Sequence, residues 1–375
     1  MKVVPMFEQV ISAFSFLGSI KRFLAQSRER LGWLMLVSSL AVLFVVLVAA
    51  AGVGAMPLSA GKILQIVMQL FGWVDAQVAS EAETVVFLHI RLPRVLFGAI
   101  AGAALAAAGA AMQGLFRNPL ADPGLIGVSS GAALAAVATI LFWTSFASGI
   151  STDLLPYVLP VAAMVGGVVA VFIVYRLSVK DGVVQVATML LAGVALNAMV
   201  GAFMGFAVFL SDDQQLRDIN FWMLGSLASA RWSIMVPVII CAVIPLVFIY
   251  SQARTLNAFL LGEREAHYLG FNVEKSKRLL LFLAAALTGG IVAFAGMIGF
   301  VGLVVPHIVR MLIGPDHRWL LPNSMILGAL LMVLADLFAR TMVVPAELPL
   351  GVVTSALGAP FFIWLLSSGK ARISG

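Results

Sequence analysis

The sequence predicts an all-α, polytopic membrane protein with about ten transmembrane helices, and three observations predict it. Of 375 residues, 62% are hydrophobic and only 11% are charged, whereas a soluble domain carries about 25% charged residues. The apolar runs are continuous and roughly twenty residues long, the length of a helix that crosses about 30 Å of hydrocarbon. A membrane β-barrel would instead show alternating segments of about ten residues. Third, the basic residues segregate along the chain, as the positive-inside rule requires of a multi-pass protein.

Residues 1–30 read as a mildly amphipathic surface segment that ends in Lys21, Arg22, Arg28 and Arg30. The run that follows, 31–53, is too long for a secretory signal and is read as a retained first span. GAMPLSAGKILQIVMQLFGW is too polar to cross and is expected to lie along the far surface. Residues 75–90 are expected to be a loop. Spans two and three, 92–115 and 124–146, flank a polar, proline-punctuated turn from Arg117-Asn118-Pro119 to Asp122-Pro123. Spans four, five and six are expected at 155–175, 186–209 and 233–250. A re-entrant or interfacial helix is expected in SDDQQLRDINFWMLGSLASARW, between spans five and six. The polar island 251–278 precedes spans seven and eight, 279–296 and 298–313, with Gly296 and Gly299 between them. Spans nine and ten are expected at 319–339 and 349–367, within a transmembrane domain of 31–368 and ahead of a short tail, 369–375.

This topology puts Lys62, Arg91, Arg94, Arg217, Arg231 and Arg340 on one side and the other 17 of the 23 basic residues on the side of both termini. The latter side is therefore cytoplasmic. Ten spans make two halves of five that enter the membrane in opposite senses, the geometry of an inverted-repeat transporter. The net charge of +6 is a matter of orientation and does not point to nucleic acid.

Small residues let membrane helices approach closely. Gly98-x-x-x-Gly102 and Gly201-x-x-x-Gly205 fit that pattern, either as packing within the chain or as an interface between two copies. Asp336 lies inside span nine, four residues before Arg340, its expected partner. The single Cys241 reads as a small core residue and excludes an intrachain disulfide. His89, His267, His307 and His317 have no metal-ligand spacing, and no GxxxxGK[ST] loop occurs. No catalytic constellation, intrinsic cofactor or metal site is expected.

The island RTLNAFLLGEREAHYLGFNVEKSKR fits two short helices split at Gly262. Glu263 and Glu265 occupy the first turn of the second, where acids favour the helix dipole, and Gly270 suits its end. So compact a polar unit between two spans reads either as an ordinary solvated loop or as a docking knob for a cytoplasmic ATPase.

Six stretches carry a resemblance: RLPR (Arg91–Arg94), FRNPLADPGLIGVSSGA (Phe116–Ala132), LLAGVALN (Leu190–Asn197), LGEREAHYLG (Leu261–Gly270), GFVGLVVPHIVR (Gly299–Arg310) and ELPLGVVTSALGAPFFIWLL (Glu347–Leu366). From about residue 40 to 368 the chain resembles the FecCD-type permeases of bacterial ABC importers for iron chelates, haem and cobalamin. The GAMPLS and FWMLGSLASARW stretches are most similar to the haem branch.

The resemblance implies a type II ABC importer permease in the inner membrane: a homodimer, two ATP-binding subunits that hold ATP and Mg, and a periplasmic binding protein. Haem would be cargo moved by alternating access between two copies, and the chain would have no ATPase site of its own. Gly262, Glu263, Glu265, Ala266 and Gly270 fall at the family's coupling helix. Arg91, Arg94 and Arg340 match the arginines that receive glutamates of the binding protein. Spans five and ten would line the pathway, which brings in Asn197, Met199, Thr354 and Ser355. Met199, Met204 and Met223 could touch iron, although core packing is the simpler reading. A Thr-Ser gate pair of the cobalamin importer is replaced by Val186 and Ala187, which makes a cobalamin substrate less expected. The rival readings are a ferric-siderophore or cobalamin permease and, from another class, an ion- or proton-coupled carrier working alone.

Overall fold

The computed structural model of the chain describes residues 4–54, 56–73, 80–143, 149–343 and 345–367, with side-chain surroundings from residue 28 onward. The tail 369–375 and the side chains that would make residues 1–27 amphipathic lie outside the described residues. We label the helices α1 (Val4–Gly52), α2 (Ala60–Leu70), α3 (Glu81–Val85), α4 (Leu92–Leu115), α5 (Val128–Leu141), α6 (Leu155–Ser178), α7 (Val186–Leu210) and α8 (Asp213–Leu224). They continue as α9 (Trp232–Ser251), α10 (Ala253–Leu261), α11 (Glu263–Tyr268), α12 (Val273–Ala295), α13 (Val301–Ile313), α14 (His317–Thr341) and α15 (Leu350–Ser367). A two-residue hairpin, Val179–Lys180 with Val183–Val184, closes the α6–α7 turn.

α4 is the hub. Its mostly Ala, Gly and Leu sequence removes side-chain bulk, and α9, α12, α13 and α14 all pack against it. Two glycine pairs fix the closest approaches. A Cβ on Gly102 would overlap the carbonyl oxygen of Gly328 in α14, and one on Gly109 would overlap that of Gly302 in α13. With lipid as apolar as leucine, such backbone-to-backbone contact supplies the dispersion that holds the helices together. The Gly98–Gly102 pattern is therefore internal packing. Gly201 and Gly205 instead lie on an exposed face of α7, with no heavy atom within 4 Å of where their side chains would start.

The structure corrects several boundaries. α1 runs unbroken for 49 residues, so residues 4–30 continue into the first span without a break. The expected loop 75–90 is helical over its described part from Glu81, passes through a π-helical stretch, Val86–Arg91, and continues into α4. Its start is a capping box: Ser80 Oγ accepts from Glu83 N–H and Glu83 accepts from Ser80 N–H. That Ser-x-x-Glu signal is legible in the sequence and marks a helix start where a loop is expected.

Among the described residues, seven helices are long and apolar enough to cross a membrane. Spans three and eight of the sequence reading are shorter than expected, 14 residues in α5 and 13 in α13. At 1.5 Å per residue these reach only about 20 Å. α5 is shortened because Pro123–Ile126 forms a 3-10 turn that ends at Gly127, φ +84°. The segment after α7 is the interfacial-length helix α8, opened by an Asp212–Gln215 capping box. Cys241 packs on Gly290 of α12, as a small residue at a tight crossing.

Candidate functional site

Two polar clusters sit at opposite ends of the α4–α14 pair. Arg94, near the start of α4, and Asp336 and Arg340, near the end of α14, mark one end. Gly114, near the end of α4, packs against Leu256 of α10 and His317 at the start of α14, and marks the other. Arg94 and Gly114 are about 30 Å apart along α4 at 1.5 Å per residue.

At the first end the structure brings Arg91, Arg94 and Arg340 together. The last turn of α1 has no basic residue of its own, and its unpaired carbonyls need donors. Arg91 supplies them to Ala51 O (2.9 Å), Gly52 O (2.7 Å) and Met56 O. Arg340 supplies them to Val53 O (2.8 Å) and Ala50 O. Arg94 forms a fork. Nε and Nη2 hold Asp336 at 2.8–3.2 Å, and Nη1 and Nη2 hold Glu347 at 2.9 and 2.8 Å. Asp336 is thus paired chiefly with Arg94, and Arg340 Nε stands off at 3.6 Å. The i,i+4 pair that helical spacing points to is therefore present as the longer of the two, and spacing gives no sign of Arg94, 242 positions away. All three arginines are largely buried, and two carboxylates offset three guanidinium groups. Outside the spans, the Arg94 guanidinium holds the Glu347 carboxyl below the usual carboxylate range.

At the other end α10 and α11 meet at Gly262, φ +129°. A side chain there would be strained and would collide with the Glu265 carboxylate. α11 closes with a Schellman pattern, Phe271 N–H to Ala266 O at 3.1 Å around Gly270, φ +88°. Lys277 of α12 is buried and ties the knob down, donating to Glu263 (2.7 Å) and Glu274 (3.1 Å). Glu274 in turn accepts from Val184 N–H (2.9 Å) beside the start of α7. Asn257 Oδ1 accepts from His317 N–H (2.8 Å), and Asn257 Nδ2 donates to Asp316 (2.7 Å), joining α10 to α14. Ala266 is 0% exposed. It is the inside of the knob, so a surface contact through its own side chain is not what the fold offers. The surface is made by Glu263, Arg264, Glu265, His267, Leu269 and Tyr268, the last 85% exposed. Sequence inspection missed Tyr268, although an aromatic in a polar six-residue helix was the available signal.

The four pathway residues do not converge within one chain. α7 packs on α5, α6 and the Pro123–Ile126 turn, while α15 packs on α8, α13 and α14. Asn197 turns back to Gly124 O (3.4 Å), whereas Met199 is 52% exposed on another face of α7. Thr354 is buried, donates to Gly351 O (3.2 Å) and lines an apolar cavity of about 400 Å³ with Val304, Leu331 and Phe361. Ser355 is half-buried one residue on. Met204 packs in the core and Met223 against it. Val186 opens α7 beside Leu115, Phe116 and Lys277, and Ala187 is exposed.

These features can be set beside known proteins. The model of the FecCD transport family matches residues 41–368. The hemin transport system permease protein HmuU of Yersinia pestis is 44% identical over 351 residues, covering 93% of this chain and 98% of that protein. The cobalamin import system permease protein BtuC of Halobacterium salinarum is 42% identical over 292 residues, covering 78% and 76%. A solved metal-chelate type ABC transporter in an inward-facing conformation superposes with a TM-score of 0.76 at 31% identity, covering 89% of this chain and 98% of that one. An ion- or proton-coupled carrier working alone is thereby set aside. The chain belongs to the FecCD transport family and is a multi-pass permease of an ABC importer.

Proposed function

We propose that this chain is the membrane-spanning subunit of an importer that carries haem from periplasm to cytoplasm, with ATP hydrolysis on partner subunits. The observation that carries the reading is the placement of the two clusters at opposite ends of one rigid helix pair. A knob with an exposed aromatic surface at one end suits a partner that moves it. A partly neutralised arginine cluster at the other suits a partner that delivers cargo.

Two copies would form the pathway, since α7 and α15 face outward from different walls and neither encloses a channel alone. The exposed glycines of α7 suit such an association. Two ATP-binding subunits would seat the α10–α11 knobs, and a periplasmic binding protein would dock over Arg91, Arg94 and Arg340. Haem is named as cargo because the likeness to the hemin permease runs through almost the whole of both chains. A second reading, cobalamin, has support from BtuC relatives at 38–42% identity.

Reconstitution with its ATPase and candidate binding proteins tests this. A haem-loaded binding protein should stimulate ATP hydrolysis and haem uptake into vesicles. Stimulation only by a cobalamin- or siderophore-loaded protein would reassign the cargo.

A further inference from the structure

The two arms of the Arg94 fork are not equivalent. The arm to Asp336 joins side chains that are 12% and 5% exposed, and breaking it would leave a buried carboxylate short of a partner. The arm to Glu347 ends on a side chain that is 41% exposed. Exposed pairs are weak and screened, so this arm exchanges readily while the other holds Arg94 in place.

Glu347 is also tied to the start of α15 by a short, well-bonded stretch. Leu348 N–H donates to Ala339 O at the end of α14 (2.9 Å), and Leu350 N–H donates to Gly225 O (3.0 Å). Ser226 N–H, next to that glycine, donates to Ala295 O (2.8 Å) at the end of α12. Gly351 packs on the carbonyl oxygens of Leu224 and Met297. The ends of α8, α12 and α14 therefore meet where α15 begins, and Glu347 is the charged tether from that junction to α4.

We propose that Glu347 is an internal stand-in for the acidic group of a docking protein. A partner carboxylate takes the outer arm of Arg94, Glu347 lets go, and the first turn of α15 gains freedom to move. This rests on the docking reading given above and adds the step by which docking is felt inside the membrane. The surface thus recognises an acidic side chain by substitution, with no net change in the pairing of Arg94. Release is confined to the loop before α15 and the first turn of that helix, because the Asp336 arm and the α1 caps stay made.

The test uses the full transporter with its ATPase in lipid nanodiscs and Glu347→Gln, which keeps the size and removes the charge. A pair of spin labels, one on α4 and one on the loop at Ala346, reads the loop without any partner. The variant should show the longer, broader distance distribution that the wild type shows only when the binding protein is docked. The variant should also bind the binding protein several-fold tighter, because no internal carboxylate competes. Glu347→Asp, with the charge restored, should return toward wild type on both readouts. An unchanged loop distance in Glu347→Gln would overturn the tether. A released loop with unchanged affinity would overturn the exchange. If Arg94→Gln left docking untouched while Glu347→Gln still released the loop, the docking reading would fail and the tether would stand.

Discussion

Each end of the molecule is organised by one buried cation that bridges two carboxylates, and the two bridges differ in what they enclose. Arg94 joins α4 to a buried acid on α14 and to a half-exposed one ahead of α15. Lys277 joins α12 to Glu263 and Glu274, both of which keep access to water. The first bridge is locked on one arm, whereas the second can come apart on both. The planar guanidinium of Arg94 makes five hydrogen bonds in fixed directions, while the ammonium of Lys277 acts as a point charge on a flexible stem. The first construction suits the proposed docking cluster, which would have to hold its shape under a partner, and the second suits the proposed coupling knob.

The largest expected effect separates them most clearly. Arg94→Met strips a buried carboxylate of its main partner and should cost about 3–5 kcal/mol, read as a lower thermal midpoint in detergent. Asp336→Asn on the same background should recover much of that loss. A small loss in the single variant would mean that Arg340 already satisfies Asp336. Next in size is Ala266→Leu, which overfills the inside of the knob and should cost about 1–3 kcal/mol. Tyr268→Ala removes only exposed surface, so it should leave stability unchanged while weakening retention of the ATPase on copurification. If Ala266→Leu and Tyr268→Ala behaved alike, the inside-outside division of the knob would be wrong.

Lys277→Met comes third. Both acids it leaves can turn to water, so about 1 kcal/mol is expected, the net worth of ordinary hydrogen bonds, with little change at the Arg94 end. The smallest effect is that of pH on Glu347. Its carboxyl is held below the usual range by Arg94. The stabilisation is therefore fully present above the ordinary glutamate value and fades as pH falls through the lowered one. Glu347→Gln should remove that acid-side slope from the stability profile, by less than about 1 kcal/mol because the group is half-exposed.

Much of this was legible in the sequence. The hub helix α4 announced itself in its run of Ala and Gly, and the knob in its Gly262 break and acidic first turn. What escaped was of two kinds. Helix length across spans three and eight depends on a 3-10 turn ending at Gly127 and on Phe300, which adopts φ +68° at the start of α13, and hydropathy does not see either. The other kind was long-range pairing. RLPR shows two arginines, but nothing local says that one caps α1 while the other reaches Asp336 and Glu347 on the far side of the chain. Burial of Ala266 escaped for the same reason, since its neighbours come from the fold around the six-residue helix.

The central claim is that the knob and the arginine cluster face opposite sides of the membrane. The most direct measurement is accessibility of single cysteines, Tyr268→Cys and Glu347→Cys, placed in a Cys241→Ser background and probed in whole cells with a membrane-impermeant thiol reagent. The account predicts that the cysteine at 347 reacts in intact cells with the outer membrane opened, and that the one at 268 reacts only after the inner membrane is permeabilised. Reaction of both from the same side would contradict it.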